Sequence, residues 1–371
     1  MTIVDDVPVA ATAGHPGPLP PTSGVDIPES RGFRVKQKVL GPALHTDQLE
    51  HERLGKPTAL AVFASDALSS TAYASEEILR ALVPAIGFLA FTSFLVPITG
   101  ALVAVLVILV FSYRQTIKAY PSAGGAYIVT KDNLGLLPAQ VAGVALLTDY
   151  ILTVAVSVSA GMAALYSAVP FFYPYRLPMA RSFIAIIAWG NLRGVKESGR
   201  LFAVPTYAFI VSMFLMIIVG VTRGITSGFE HIAPPPGHIE IGVGAVSVML
   251  LLKGFASGGA AMTGVEAISN GVPAFKKPEA KHARETLMIM GVCLGTMFLG
   301  ISFLAAKYQA VPSEKTTVIS EVARQAFGAG SVGNAVFFFV QASTMLILVL
   351  AANTSFADFP RLASFHADDA F

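Results

Sequence analysis

The chain has 371 residues, of which 54% are hydrophobic and only 13% charged, with a mean hydropathy of +0.66. Soluble domains carry about a quarter charged residues, so this composition excludes an ordinary soluble protein. A net charge of +2 is too small to address nucleic acid, and a single cysteine, Cys293, excludes an internal disulfide and a thiolate metal cage.

Residues 1–35 are rich in Pro, Gly, Ala and acidic or hydroxyl residues and hold no apolar run of the signal-peptide kind, which predicts a disordered tail. We divide the chain into a cytoplasmic, mostly disordered N-terminal region, 1–55, and a transmembrane domain, 56–371. Arg31, Arg34, Lys36, Lys38, Arg53 and Lys56 gather just before the first span, so the positive-inside rule places the N-terminus in the cytoplasm of a plasma-membrane protein.

The first span, 56–82, is long enough to cross a bilayer yet carries Asp66 near its middle. An ionisable side chain at that depth costs at least ~2.5–3.5 kcal/mol on insertion scales, so its presence implies a use. Ser65, Ser69, Ser70 and Thr71 surround it, and their hydroxyls can satisfy backbone groups freed where a helix unwinds. The stretch reads as a broken helix that carries a solute site.

Further apolar segments follow at 87–112, 137–169, 179–192, 201–222, 243–270, 286–306 and 332–353, giving about eight spans. The fourth of the eight, 179–192, is the shortest and reads as tilted or partly interfacial. Loops on the side of the N-terminus carry Arg114, Lys118 and Lys131, then Arg193, Lys196 and Arg200, then Lys276, Lys277, Lys281 and Arg284. The opposite loops carry fewer, chiefly Arg176, Arg223, Lys307, Lys315 and Arg324.

An internal repeat organises these spans. FASDALSSTAYASEEI from Phe63 overlays FASGGAAMTGVEAIS from Phe255, aligning Phe-Ala-Ser and, further on, Thr71 with Thr263. Two interrupted helices in corresponding positions of two halves point to an inverted-repeat transporter with its site at the midplane.

Acids within spans mark that site. Asp149, Thr153 and Ser157 share one helical face, as do Asp66 and Tyr73, and Thr263 and Glu266 follow Gly258 and Gly259 around Gly264. Hard cations prefer such oxygen ligands, supplemented by carbonyls of unwound backbone. Each residue also has a plainer reading. Asp149 would be solvated at a helix end, Glu266 would pair with Lys253 or sit at the boundary, and Asp66 would cap a half-helix. Thr153 and Ser157 would bond back to the preceding turn. Lys253 reads as snorkelling outward, and Glu76 and Glu77 as boundary residues.

The segment YPSAGGAY, from Tyr120, resembles the loop after the second helix in the amino acid, polyamine and organocation (APC) superfamily. FASDALSSTAYASEEIL, NLRGVKESG, FASGGAAMTGVEAISNGV and AANTSFADFPRLASF resemble one branch of it, the KimA-type potassium transporters related to the KUP family. That resemblance covers 56–365. It implies an all-α APC-type fold, an inverted repeat with helices one and six broken, and import of potassium by proton symport. Its ion-site positions fall on Asp66, Tyr73, Asp149, Thr153, Ser157, Thr263 and Glu266. Family members continue for about four more helices and a soluble domain involved in dimer formation. The chain stops after HADDAF, so the homodimer that the resemblance implies is in doubt, and a non-transporting truncated remnant stands as one alternative. The other is an amino acid or polyamine permease. Buried acids favour a cation over an anionic carboxylate, which leaves polyamines as the stronger form of that rival. No phosphate loop and no paired metal-ligand spacing occur, so no cofactor and no enzymatic activity are expected, and energy must come from an ion gradient.

Overall fold

The computed structural model describes residues 53–121, 125–192 and 199–368. The tail that carries Arg31, Arg34, Lys36 and Lys38 and the loop that carries Arg193 and Lys196 lie outside the described residues. Helix dominates, and among the described residues β pairing is confined to isolated bridges of Leu54 with Phe275 and His238 with Ser313.

The predicted first span is helical in three pieces, α1 (Lys56–Phe63), α2 (Ser65–Ser69) and α3 (Thr71–Ile86). Pro57 opens α1, where its missing N–H is harmless. Ala64 breaks the first junction at φ −99°, ψ −3°. The surrounding hydroxyls bond back as expected of polar residues at an unwound helix. Ser65 Oγ donates to the Val62 carbonyl at 3.2 Å, Ser69 to Asp66 at 2.8 Å, Ser70 to Ala67 at 2.6 Å and Thr71 to Leu68 at 2.7 Å.

After a π-helical turn, Ala90–Phe94, come α4 (Leu95–Ala119), α5 (Gly125–Leu134), α6 (Leu136–Ala168), α7 (Arg176–Leu192) and α8 (Gly199–Ser227). The predicted sixth span is interrupted too. α9 (Val248–Gly258) passes into a 3-10 turn, Gly259–Met262, an extended Thr263 and a left-handed Gly264, and α10 (Ala267–Asn270) resumes beyond them. α11 (Glu279–Tyr308), α12 (Val318–Phe327) and α13 (Ser331–Asp368) complete the chain.

Among the described residues six helices are long and apolar enough to cross a membrane: Ala90–Ala119, Leu136–Ala168, Phe202–Ser227, Val248–Asn270, Glu279–Tyr308 and Ser331–Ser364. The remaining two predicted spans are the interrupted first helix and α7, whose 17 residues rise about 25 Å, short of a hydrocarbon slab of about 30 Å. The last span differs from its prediction. It does not stop at 353 but runs on as one helix through Pro360. Large apolar side chains such as Ile108, Val141, Ile151 and Val204 are exposed along the long helices, as befits a multi-pass membrane protein with lipid as its outer solvent.

The two halves of the broken first helix are fastened differently. Just before α1 and at its first residue, Arg53 pairs with Glu279 and Lys56 with Glu285, both in the first two turns of α11. From α8, Thr206 and Tyr207 donate to the Ala61 and Pro57 carbonyls at 3.1 and 3.0 Å. High on α3, buried Ser75 shares a 2.8 Å hydrogen bond with Ser302 of α11, which also accepts from Thr99 of α4 at 2.9 Å.

Candidate functional site

The two interruptions meet. Ser70 Oγ, besides its own turn, donates to the Ala261 carbonyl at 3.0 Å, which stitches the break in the first helix to the 3-10 turn of the sixth. Gly264, at φ +78°, lies against the Asp66 side chain so closely that an added Cβ would sit 2.7 Å from Oδ2. Only glycine meets both the left-handed backbone and the missing space. Asp66 is 3% exposed, and its Oδ1 has no hydrogen-bond partner. A carboxylate oxygen buried without a donor is costly, which singles this atom out from the satisfied hydroxyls around it.

The other predicted site residues gather about it. Tyr73, on the first full turn of α3, is buried and its hydroxyl interacts with the Thr263 side chain. Thr263 Oγ1 donates to the Ala260 carbonyl at 3.0 Å. Glu266 is buried just after the unwound turn, at the start of α10. On α6, Thr153 and Ser157 are buried on one face, and Ser157 Oγ is left without a partner instead of bonding back. Asp149, one turn before Thr153, is half-buried and close enough for its charge to act on both Asp66 and Glu266. Lys253 is exposed and makes no ion pair with Glu266.

A further acid was not singled out from the sequence. Asp358 of α13 is 7% exposed, and its charge acts on Asp66, Glu266 and the Tyr150 hydroxyl. Thr354, one helical turn earlier, places this face of α13 against α2 through a 3.5 Å contact with Ser65. The signal was an acid within AANTSFADFP, beyond an apolar window that ended at 353. The structure thus brings α2, α6, the turn after α9 and α13 to one place. Among the described residues no three His, Cys, Asp or Glu side chains are gathered as a metal site, so the acids surround the junction without forming a carboxylate cage.

A cavity reaches the site from one side, and packed side chains lie at the other. A cavity of about 390 Å3 includes Tyr73 and follows successive turns of α3 to Glu76, Glu77 and Arg80 beneath Thr317. Glu76 carries more contacts than its place near a span end suggests. It is buried, accepts from Arg80 Nη2 at 2.6 Å and Nε at 3.0 Å, and takes the Val318 backbone N–H at 2.9 Å, while Arg80 also donates to the Ser313 carbonyl. At the opposite end α5 packs on α6. Tyr127 stacks on His366 at 4.6 Å, and Asn270 reaches the Tyr150 hydroxyl at 3.5 Å beside Gly125.

Two interrupted helices crossing at a buried acid define a broken-helix membrane fold, and comparison gives its family. The family model described as amino acid permease matches residues 54–371, and the chain belongs to that family. The chain is 44% identical over 331 residues to the potassium transporter KimA of Bacillus subtilis (strain 168), an alignment that covers 89% of this chain and 53% of the relative. The chain spans about half the length of that curated relative.

Proposed function

We propose that the chain carries the cation site of a secondary active transporter that imports potassium by proton symport, with its N-terminus in the cytoplasm and the plasma membrane as its location. The observation that carries this reading is the buried, unpartnered Asp66 Oδ1 at the crossing of the two helix breaks, with Glu266, Asp149 and Asp358 in electrostatic reach. That many carboxylates in a low dielectric repel one another unless cations accompany them, and potassium and protons are cations that can alternate in that duty. Asp66, Tyr73, Thr153, Ser157 and Thr263 supply oxygen ligands, and Glu266 and Asp149 share the charge balance with the proton. The name of the relative supports potassium as the cargo, and the basic loops on the side of the N-terminus support the orientation.

Thermal unfolding of the purified chain in detergent tests the reading, because a ligand bound only by the folded state raises the midpoint. Potassium should raise it more than sodium, spermidine or a neutral amino acid, and Asp66→Asn should erase the shift. A larger shift with spermidine would transfer the site to a polyamine permease, and no shift with any of the four would overturn a cation site in this chain. Glu266→Gln and Asp149→Asn should each weaken potassium binding about tenfold or more, the usual worth of a charged hydrogen-bonding ligand.

Asp358→Asn provides a separate check. Removing one remote negative charge should weaken potassium binding about tenfold while leaving the midpoint without potassium nearly unchanged. Isothermal titration of potassium into both proteins would show it, and equal affinities would make Asp358 a packing residue.

A further inference from the structure

Away from the crossing of the broken helices, the seam between α4 and α11 combines two features that neither helix needs for folding. At one end a cavity of about 610 Å3 is lined by Arg114, Lys281, Arg284, Glu285 and Met288. Glu285 cannot neutralise all three cations, because its single charge already pairs with Lys56 and is shared with Lys281. Among the described residues no ion pair involves Arg114, Lys281 or Arg284, and the Nε of Arg284 is buried with no hydrogen-bond partner. A buried guanidinium donor left unmatched is a cost that an incoming anion would remove.

Next along the same seam lies a second cavity, of about 250 Å3, walled by Val107, Val110, Gly291 and Val292. Met288 lines both cavities, so the cationic end and the apolar trough adjoin. Gly291 lets α11 approach α4 closely, since a Cβ there would come within 2.8 Å of the Val110 side chain. Val107 and Val292 are 48% and 63% exposed, so the trough opens outward to lipid. A cationic head at the end of a membrane helix pair, continued by an apolar channel toward the slab interior, matches one chemistry, a phosphate ester joined to an acyl chain.

We propose that this seam is a binding site for one anionic phospholipid, with its headgroup phosphate held by Arg114, Lys281 and Arg284 and an acyl chain laid along Val107, Val110 and Val292. The site discriminates by net charge. Phosphatidylglycerol satisfies the three cations, whereas phosphatidylcholine brings its own quaternary ammonium to them. The proposal is independent of which solute the chain carries.

The test is native mass spectrometry of the full chain in a non-ionic detergent, with dioleoyl phosphatidylglycerol and dioleoyl phosphatidylcholine supplied in equal amounts. Retained phosphatidylglycerol should exceed phosphatidylcholine about tenfold or more, and Arg114→Ala, Lys281→Ala and Arg284→Ala should each lower its affinity about fivefold, the worth of one basic residue near an anionic headgroup. Val292→Trp, which fills the trough and keeps every charge, should also displace the lipid. Charge-conserving Arg114→Lys should keep the preference, which guards against reading a misfolded alanine variant as a lost site. Equal retention of the two lipids would overturn the proposal. Glycerol phosphate bound as tightly as the whole lipid would overturn it too, because the trough would then contribute nothing.

Discussion

Gly264→Ala should lose both stability and cation response. The backbone there holds φ +78°, and the new methyl group would meet Asp66 Oδ2 at 2.7 Å, Asp66 Cγ at 2.8 Å and the Ala67 backbone nitrogen at 2.9 Å. Left-handed strain costs about 1–3 kcal/mol and overpacking a similar amount, so a loss of about 2–5 kcal/mol is expected. Relief can come only by pushing the turn after α9 away from α2, which separates Thr263 and Glu266 from Asp66. The midpoint of thermal unfolding should fall by several degrees and its rise with potassium should vanish. Gly259→Ala is the matched control, because nothing lies within 4 Å of the Cβ position there. If Gly264→Ala unfolds like Gly259→Ala and still responds to potassium, the two breaks are not in the contact described.

Glu76→Ala should release the short helix α12 from the bundle. Glu76 is 6% exposed and holds two partners at once, the Arg80 guanidinium and the Val318 backbone N–H at the first residue of α12. Removing the buried member of such a pair costs about 3–5 kcal/mol when both groups are enclosed. Arg80 keeps 35% of its side chain exposed and can turn to water, so about 2–3 kcal/mol is the better expectation. The loss should be local. Hydrogen exchange across residues 310–327 should quicken by about thirtyfold or more, with α4 and α11 unchanged, and uniform exchange would refute the anchoring role. Because Glu76 and Arg80 line the cavity that includes Tyr73, the same variant should widen access to the site from that side.

The breaks in the first and sixth helices were legible because each breaks a strong rule. An aspartate at mid-span and a run of glycines are both disfavoured in a lipid-facing helix, so Asp66 and Gly258 to Gly264 announced themselves. The grouping of Asp66, Tyr73, Thr263 and Glu266 followed from helical spacing plus the repeat. Asp358 was missed because hydropathy ended the last span at 353, where Asn353, Thr354 and Ser355 interrupt the apolar run. Those polar residues do not end the helix, and Thr354 turns toward the broken first helix instead of water. The anchoring contact of Glu76 stayed hidden for the opposite reason. An acid four residues before Arg80 is the pattern of an exposed helix pair, and the partner that makes it structural lies 242 residues away. The shortness of α7 was visible, whereas its depth against its neighbours depends on long-range packing that no local pattern encodes.

The unequal fastening of the first helix gives it a built-in sense of direction. Its α3 half is bolted to α4 and α11 by the Ser75, Thr99 and Ser302 hydroxyls, all three buried. Its α1 half is latched to α11 by Arg53 with Glu279 and Lys56 with Glu285, pairs that remain about a third exposed or more. Screening over roughly 8 Å at physiological ionic strength weakens the latch and spares the bolt. Of the two arms meeting at Ala64, the α1 arm is therefore the one whose fastening answers in part to the salt concentration bathing that face, while the Thr206 and Tyr207 bonds from α8 do not.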